Sequence, residues 1–507
     1  MKNFIKVISV STIILFIIVY TFSCKSEQKT GEQLARTYCS ACHLFPNPEL
    51  LDKNSWKNGV LPSMSIRMGV TLIEQSPKYS FAEIQQINDL HVLPERPMIS
   101  ASEWQLIEKY YLENAPEKLD TTSKNLVAYQ SLEQQFTIKP YPVAGDEITL
   151  LKYDTTLQKL ITGTRKGEIF VVEPKSGKVL QQSRMYSSPT DISFQKDSTF
   201  YLSVAGKLEP NHDKNGICAL AHFGKDKIIP QKVIRQLPRP VDIAVADLNQ
   251  DNKQDVLVCS FGYFAGKLAW YEINKDSVVT EHLLKNEAGA TCVLVSDMNQ
   301  DKLPDVVALM GQGNEGVFIF YNKGNGVFEE EQVLKFPSVY GSLHIELIDF
   351  NKDGFKDIVY TNGDNGDETP VLKPYHGIRI FLNNGKNQFT EKYFFPMYGA
   401  MKSLVRDFDK DGDLDIATFS FFPDYSKSPQ KSFVYLQNNG NYFFKPFISP
   451  QTDSGHWMVM DAFDFDKDGD EDIILGSCYD IVREKNALVK LSQTPLLLLE
   501  NKTKKPL

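Results

Sequence analysis

Residues 407–415 read DFDKDGDLD, and the pattern recurs along the chain. Residues 464–472 read DFDKDGDED, 349–357 read DFNKDGFKD, 297–305 read DMNQDKLPD, and 247–255 read DLNQDNKQD. Each copy runs into a short apolar stretch: DVLVCS, DVVALM, DIVYTN, DIATFS and DIILGS. The starts lie 50, 52, 58 and 57 residues apart, a spacing that signals stacked or radially arranged units. Acidic or amide side chains at positions one, three, five and nine of a tight loop can converge on one hard cation. Position seven adds a carbonyl, and glycine at position six allows the sharp turn. Such an all-oxygen set suits Ca²⁺. The loops lack the position-twelve glutamate of a helix–loop–helix calcium site, and a strand follows where a helix would stand. Asn252 and Lys302 replace the position-six glycine in the first two copies.

Working outward, the repeat extends beyond the five loops. GATCVLVSD, GSLHIELID, GAMKSLVRD and GHWMVMDAFD open successive units, and RPVDIAVAD opens the one before them. Upstream, PTDISFQKD ending at Asp197 and GDEITLLKYD ending at Asp154 fit the same opening without the later acids. That makes seven units. Each carries a later apolar strand ending at a turn (LAWYEIN, VFIFYNK, IRIFLNN, FVYLQNN, LLLLENK), and several add a Phe-led outer strand. The last unit has no outer strand of its own, whereas FTIKPYP (136–142) precedes the first. This segment is expected to complete the last unit and close a ring, which leaves no open sheet edge.

The seven units resemble the FG-GAP/VCBS repeat family, whose integrin-α-like propellers carry Ca²⁺ in the first hairpin of a blade. The resemblance covers residues 132–507 and implies an all-β seven-bladed propeller with four strands per blade. Carried over by position, it implies as ligands Asp247, Asn249, Asp251 and Asp255; Asp297, Asn299, Asp301 and Asp305; Asp349, Asn351, Asp353 and Asp357; Asp407, Asp409, Asp411 and Asp415; and Asp464, Asp466, Asp468 and Asp472. Up to five Ca²⁺ ions are expected, each pinning a long hairpin.

The other end of the chain is different. Met1–Lys6 carries two lysines, Val7–Phe22 is apolar, and Ser23-Cys24 follows. This reads as an export signal over residues 1–23, cleaved before a lipid-modified Cys24, with 24–30 as tether. The expected location is the cell envelope, with the membrane reached through a lipid anchor. Residues 39–43 read Cys-Ser-Ala-Cys-His. Two thiols on one turn can add to the two vinyl groups of one haem, and the next imidazole then reaches the iron. A redox dithiol or half a zinc site needs no such histidine, and no second Cys-x-x-Cys accompanies the first. Helices are expected over Glu32–Tyr38, Asn54–Met68 (broken near Pro62) and Phe81–Leu90. A fourth follows the capping box Ser100–Glu103 and ends at Ala115-Pro116.

Residues 31–117 resemble a small all-α monohaem cytochrome c, which implies one covalent haem c held by Cys39, Cys42 and His43. The run from Trp56 to Met64 is similar to the ligand segment of some bacterial cytochromes. It makes Met64 the first choice for the sixth iron ligand, ahead of Met68, Met98 and His91; an open position is the remaining choice. A polar linker, 118–131, leads to the propeller.

The chain has 507 residues, a net charge of −9 and seven cysteines. With a pI near 5.5 and no basic run, nucleic acid is not an expected partner. Cys218, Cys259, Cys292 and Cys478 fall in or beside apolar runs and read as buried thiols, although sequence alone leaves a disulfide open. No nucleophile elbow, phosphate loop, HExxH or dinucleotide fingerprint occurs, so no catalytic residue is assigned. On the innermost strands, Glu147, Asp191, Asp242, His344, Lys402 and His456 stand at comparable places and would line the propeller channel, around either water or a small polar ligand. The expected activity is electron transfer to a redox partner protein, with the propeller as docking platform. The alternatives are a propeller dehydrogenase of a sugar or alcohol feeding its fused cytochrome, and a glycan- or protein-binding surface module.

Overall fold

The computed structural model describes residues 29–121, 128–142, 145–196, 198–225, 227–273, 279–365, 369–478 and 494–503. The expected signal segment 1–23, Cys24, most of the tether and Asp197 lie outside the described residues. Among the described residues, no helix is long and apolar enough to cross a membrane.

The helical region forms where its caps and apolar spacing place it. Helix α1, Gly31–Cys39, starts at a capping box between Thr30 and Gln33. The second helical stretch begins with Lys53–Ser55, passes through a π turn at Trp56–Val60, and ends as α2, Leu61–Arg67. The irregularity expected near Pro62 is this turn. Pro62 follows this turn inside the continuous helical stretch, where its missing N–H removes one helical hydrogen bond. Helices α3, Phe81–Asp89, and α4, Ala101–Asn114, each open on a Ser/Glu capping box. Leu34 and Ala35 of α1 meet Trp104, Ile107 and Tyr111 of α4, with Trp56 beneath, in one buried core.

The rest of the chain makes seven antiparallel sheets, each with a complete set of four strands. Their innermost strands are Ile148–Asp154, Pro189–Phe194, Pro240–Ala246, Ala290–Ser296, Ser342–Ile348, Ala400–Arg406 and Trp457–Phe463. Each of these neighbours the next, and the seventh neighbours the first, so the ring is closed. The second strands are the interior of the wall. In Asp255–Ser260, Asp305–Met310, Asp357–Asn362, Asp415–Ser420 and Asp472–Ser477 every residue is buried, since neighbouring blades cover both faces. Burying each Val, Ile or Leu there contributes about 1.5–3 kcal/mol.

Closure follows the sequence expectation. Phe136–Pro140 pairs antiparallel with Leu496–Asn501 as the outer strand of the seventh blade, with Phe136 opposite Asn501 and Pro140 opposite Leu497. Pro140 is tolerated because this strand is a sheet edge. One detail differs from the sequence reading. Gln130–Ser131, assigned to the linker, pairs in parallel with the outer strand of the sixth blade as a fifth strand.

In a four-stranded antiparallel blade, the turn from first to second strand lies on one face of the ring. The turn from second to third strand, and the passage to the next blade, lie on the other. The five carboxylate loops are all first turns. The helical region rests on the opposite face. Leu44 bridges Pro337 between the fourth and fifth blades. Lys78 Nζ donates to the Tyr263 hydroxyl of the third blade at 3.2 Å, and Gln86 Nε2 donates to Asp213 of the second at 3.1 Å. Apolar packing accompanies these bonds. Ile66, Ile73 and Ile87 bury Tyr263 and Phe264, while Val339 joins the helical core.

Candidate functional site

The Cys39–His43 segment begins at the last residue of α1 and leaves it in a turn. Cys39 and Cys42 are free thiols, Cys39 partly buried and Cys42 exposed. Tyr111 and Trp56, whose rings sit 4.4 Å apart, hold the chain that follows. The Tyr111 hydroxyl donates to Pro46 O at 3.0 Å, and Trp56 Nε1 donates to Pro48 O at 2.8 Å. Burial raises the Cys39 thiol above its ordinary pKa, against a hydrogen bond with Tyr111. Burial also lowers the pKa of His43, which favours the neutral ring. His43 Nδ1 lies 3.0 Å from Leu44 O, so it carries the proton and leaves Nε2 as the free lone pair.

Met64 and Met68, one turn apart, pack against the same core as Cys39. Met98 is half-exposed, its N–H donating to Met68 O at 2.9 Å. His91 is exposed and holds a φ of 52°. Five of the twelve exposed large apolar side chains in the described residues belong to this small region: Leu44, Leu72, Phe81, Val92 and Met98. Two free thiols, an uncommitted imidazole nitrogen, nearby thioethers and uncovered apolar surface form a donor set that fits a covalent haem. Cys218, Cys259, Cys292 and Cys478 are buried, as the sequence suggested.

The carboxylate loops share one internal wiring. The position-one aspartate accepts the N–H of position six in every copy, as Asp407 does from Gly412 (3.1 Å) and Asp297 from Lys302 (2.8 Å). The position-nine aspartate accepts the N–H of position two and ties the hairpin to its third strand. Asp305, Asp357, Asp415 and Asp472 receive the N–H groups of Asn322, Asn383, Asn438 and Asn501 at 2.7–2.8 Å. Those asparagines close the units and had no assigned role from sequence. Asn322 and Asn501 also donate to Leu248 O and Phe408 O of the preceding blade's loop, locking blade to blade.

Three carboxylates converge in two loops. In Asp407, Asp409 and Asp415, and again in Asp464, Asp466 and Asp472, one oxygen from each lies within 4.8 Å of the others. Oxygens so spaced can share one cation at the 2.3–2.6 Å typical of Ca²⁺. Asp464 Oδ1 and both Asp470 oxygens are buried without a partner among the described residues, which an isolated carboxylate tolerates poorly. Burial pushes Asp415, Asp470 and Asp472 up to about 7. These two loops fit a hard cation.

Asp411 and Asp468, expected as ligands, stand outside both clusters; each accepts the N–H two residues on. In the other three loops position three is an amide. Asn299 and Asn351 donate to Asp301 and Asp353 at 2.9 and 2.8 Å, and Lys253 contacts Asp251. Their acids are thus partly satisfied within the protein.

The channel lining needs a correction. In every blade the inner hairpin has a register irregularity, and the residue just beyond it is Leu150, Asp191, Asp242, Cys292, His344, Lys402 or Val459. Glu147 and His456 are therefore three residues out of register with the other four. Glu147 stands before its strand, 3.7 Å from Arg165. His456 is buried and stacks on Phe421 at 3.9 Å. The sequence alignment also passed over Lys152, Glu346 and Asp461, two residues farther along the inner strands.

The inner edge of each blade exposes strand N–H groups, and the acids cover several. Asp191 accepts Ile243 N (3.2 Å), Asp242 accepts Val293 N (2.7 Å), Glu346 accepts Val405 N (2.9 Å), and Asp461 accepts Tyr153 N (2.8 Å). Each bond crosses from one blade to the next.

A model of the "FG-GAP-like repeat" matches residues 297–360 and 407–475. The chain carries FG-GAP-like repeats. Comparison with curated protein sequences found no match. Among solved structures, the chain is similar to the Neurospora crassa Pan2 WD40 domain at 12% identity, covering 75% of this chain and 99% of that one, with a TM-score of 0.46. The Myceliophteria thermophila Cps50 (Swd1) β-propeller domain is similar at 9% identity, covering 72% and 99%, also with a TM-score of 0.46. The computationally designed Ika8 protein gives 12% identity, 54% and 69% coverage, and a TM-score of 0.35. The seven-bladed assignment rests on the strand pairing itself.

Proposed function

We propose that this chain is an envelope electron-transfer lipoprotein whose helical region carries one haem c and whose propeller is a calcium-stiffened docking platform. The observation that carries the reading is the pairing of two unbonded thiols, Cys39 and Cys42, with a His43 ring whose Nδ1 is engaged and whose Nε2 is free. When bound, the haem would supply reversible one-electron chemistry. Cys39 and Cys42 would hold it, His43 would ligate its iron, and Met64 would be the first candidate for a further iron ligand. Trp56 and Tyr111 keep the segment after His43 in place. The same packing that buries Cys39 lowers local polarity, which favours a higher potential.

Two Ca²⁺ ions in the loops at 407–415 and 464–472 would neutralise crowded acids on the face away from the helices. The helical region would then present its exposed apolar side chains to a redox partner protein while the propeller fixes its orientation. Cys24 would anchor the assembly to the membrane.

The test is an optical spectrum of the chain made in a haem-maturing host, before and after dithionite. A reduced α-band that survives denaturation, and is lost in Cys39→Ser/Cys42→Ser, is the expected result. A chain purified without bound haem would overturn the reading.

A further inference from the structure

A lysine joins the two loops whose carboxylates converge. Position four of every carboxylate loop lies in the left-handed region, with φ of 65°, 62°, 61°, 59° and 67° at Gln250, Gln300, Lys352, Lys410 and Lys467. In the last three loops this side chain reaches the next blade. Lys352 Nζ donates to Gly412 O at 2.6 Å and lies 3.6 Å from Asp413 Oδ1. Lys410 Nζ donates to Gly469 O. Lys467 Nζ donates to Gln158 Oε1 of the first blade, which has no carboxylate loop, at 2.8 Å. The loops that receive a lysine are therefore 407–415 and 464–472, the same two in which three carboxylates share one small volume.

Lys410 starts in one of these loops and ends in the other. It follows Asp409, a member of the first cluster, and its ammonium holds the Gly469 carbonyl. The Gly469 N–H donates at 3.0 Å to Asp464, a member of the second cluster. Asp409, Lys410, Gly469 and Asp464 thus form one continuous path between the clusters. Asp470, the next residue, is 2% exposed, and neither of its oxygens has a partner among the described residues.

We propose that Lys410 couples the cation sites of loops 407–415 and 464–472, so that filling either one raises the affinity of the other. The inference rests on the calcium reading of these loops. A cation at 407–415 fixes Asp409 and the backbone from which Lys410 reaches across. Lys410 then holds the turn at Gly469, whose N–H orients Asp464. Part of the ordering that the second site requires is already done, and an ordering cost shared by two sites is positive coupling. The coupling is reciprocal, because it is a free energy of the pair. Two bound cations repel each other, but Asp411, Gly412, Asp468 and Gly469 are exposed, and salt screens charges on such a rim.

The experiment is a Ca²⁺ titration of the full-length chain by isothermal calorimetry, after Ca²⁺ has been stripped with EGTA. Asp409→Ala leaves the second site to be read alone, and Asp466→Ala leaves the first. With these single-site affinities fixed, the isotherm of the unaltered chain should require a coupling factor of at least about fivefold. The same three titrations in a Lys410→Met background should give a factor of about one, and Lys410→Arg should retain the coupling. A lysine that only stabilised the loops, or only repelled a cation, would change the single-site affinities and leave the factor in place. No coupling in the unaltered chain, or coupling that survives in Lys410→Met, overturns the proposal while the calcium reading stands. An unaltered chain that binds no Ca²⁺ overturns the calcium reading and the coupling with it.

Discussion

The Tyr375 hydroxyl, in the fifth blade, donates a hydrogen bond of 3.0 Å to Leu50 O in the segment after the Cys39–His43 motif. Its ring stacks on Tyr340 at 4.8 Å, so the donor is held by the propeller itself. The motif is thereby oriented against the blade wall. Tyr375→Phe should cost about 1 kcal/mol, the net worth of one such bond. Tyr375→Ala should also remove the packing against Leu50 and Val339 and cost about 3–5 kcal/mol. Amide hydrogen exchange checks this: protection should fall around residues 47–60 and stay unchanged in the second strands of the blades.

Chelation should separate the carboxylate loops by sequence. EGTA is expected to lower the melting temperature, by an amount corresponding to about 2.7 kcal/mol when free Ca²⁺ was a hundredfold above Kd. Asp409→Ala and Asp466→Ala should each remove part of that response, because these side chains belong to the two three-carboxylate clusters. Asn249→Ala should leave the chelator response largely intact. Equal chelator shifts in all four proteins would refute the assignment of the cations to these two loops.

Position six tests the loop backbone apart from any metal. Lys302 holds a φ of 71°, where its fourth-loop counterpart Gly412 holds 95°. A side chain in this left-handed region costs roughly 1–2 kcal/mol, and glycine's extra freedom in the unfolded chain returns part of that. Lys302→Gly should therefore gain about 0.5 kcal/mol, and Gly412→Ala should lose about 1 kcal/mol. A Cβ at Gly412 would meet nothing within 4 Å, so the loss reports backbone strain alone. Urea denaturation of the two variants in EGTA gives both values.

The propeller was legible because its information is local and repeated. The spacing of aspartates marks each first hairpin, and a Phe-led strand displaced to the front of the ring, beginning at Phe136, betrays the closure. The docking of the helices was not legible. It rests on single side chains, Tyr263, Phe264, Val339 and Tyr375, scattered through three different connections with no shared pattern. The channel was half legible. Asp191, Asp242, His344 and Lys402 align from sequence, but the openings GDEITLLKYD and GHWMVMDAFD run one residue longer than the others. Glu147 and His456 therefore looked equivalent to them, when Leu150 and Val459 hold that place in the ring. Asn322 and Asn501 were visible as the ends of strands, whereas their bonds to the preceding blade require the folded ring.

A pH prediction follows from Glu315, which is fully buried between the fourth and fifth blades. Its carboxyl accepts Ser342 N at 3.1 Å and Ser342 Oγ at 2.7 Å, and Ser342 Oγ in turn meets the Tyr360 hydroxyl at 2.7 Å. Burial outweighs these bonds and pushes the group up to about 8. The unfolded chain releases this proton near pH 4.3. Between about pH 4.3 and 8 the folded state thus binds more protons than the unfolded state, and stability from this group falls as pH rises. Above pH 8 both states are ionised and the loss is complete. Glu315→Gln cannot titrate and keeps an acceptor for Ser342. Its melting temperature relative to the unaltered chain should rise steadily from pH 5 to pH 8 and then level off. A difference that stays flat across this window would mean that Glu315 is already ionised in the fold, with Lys373, whose positive charge already acts on it, as its counter-charge.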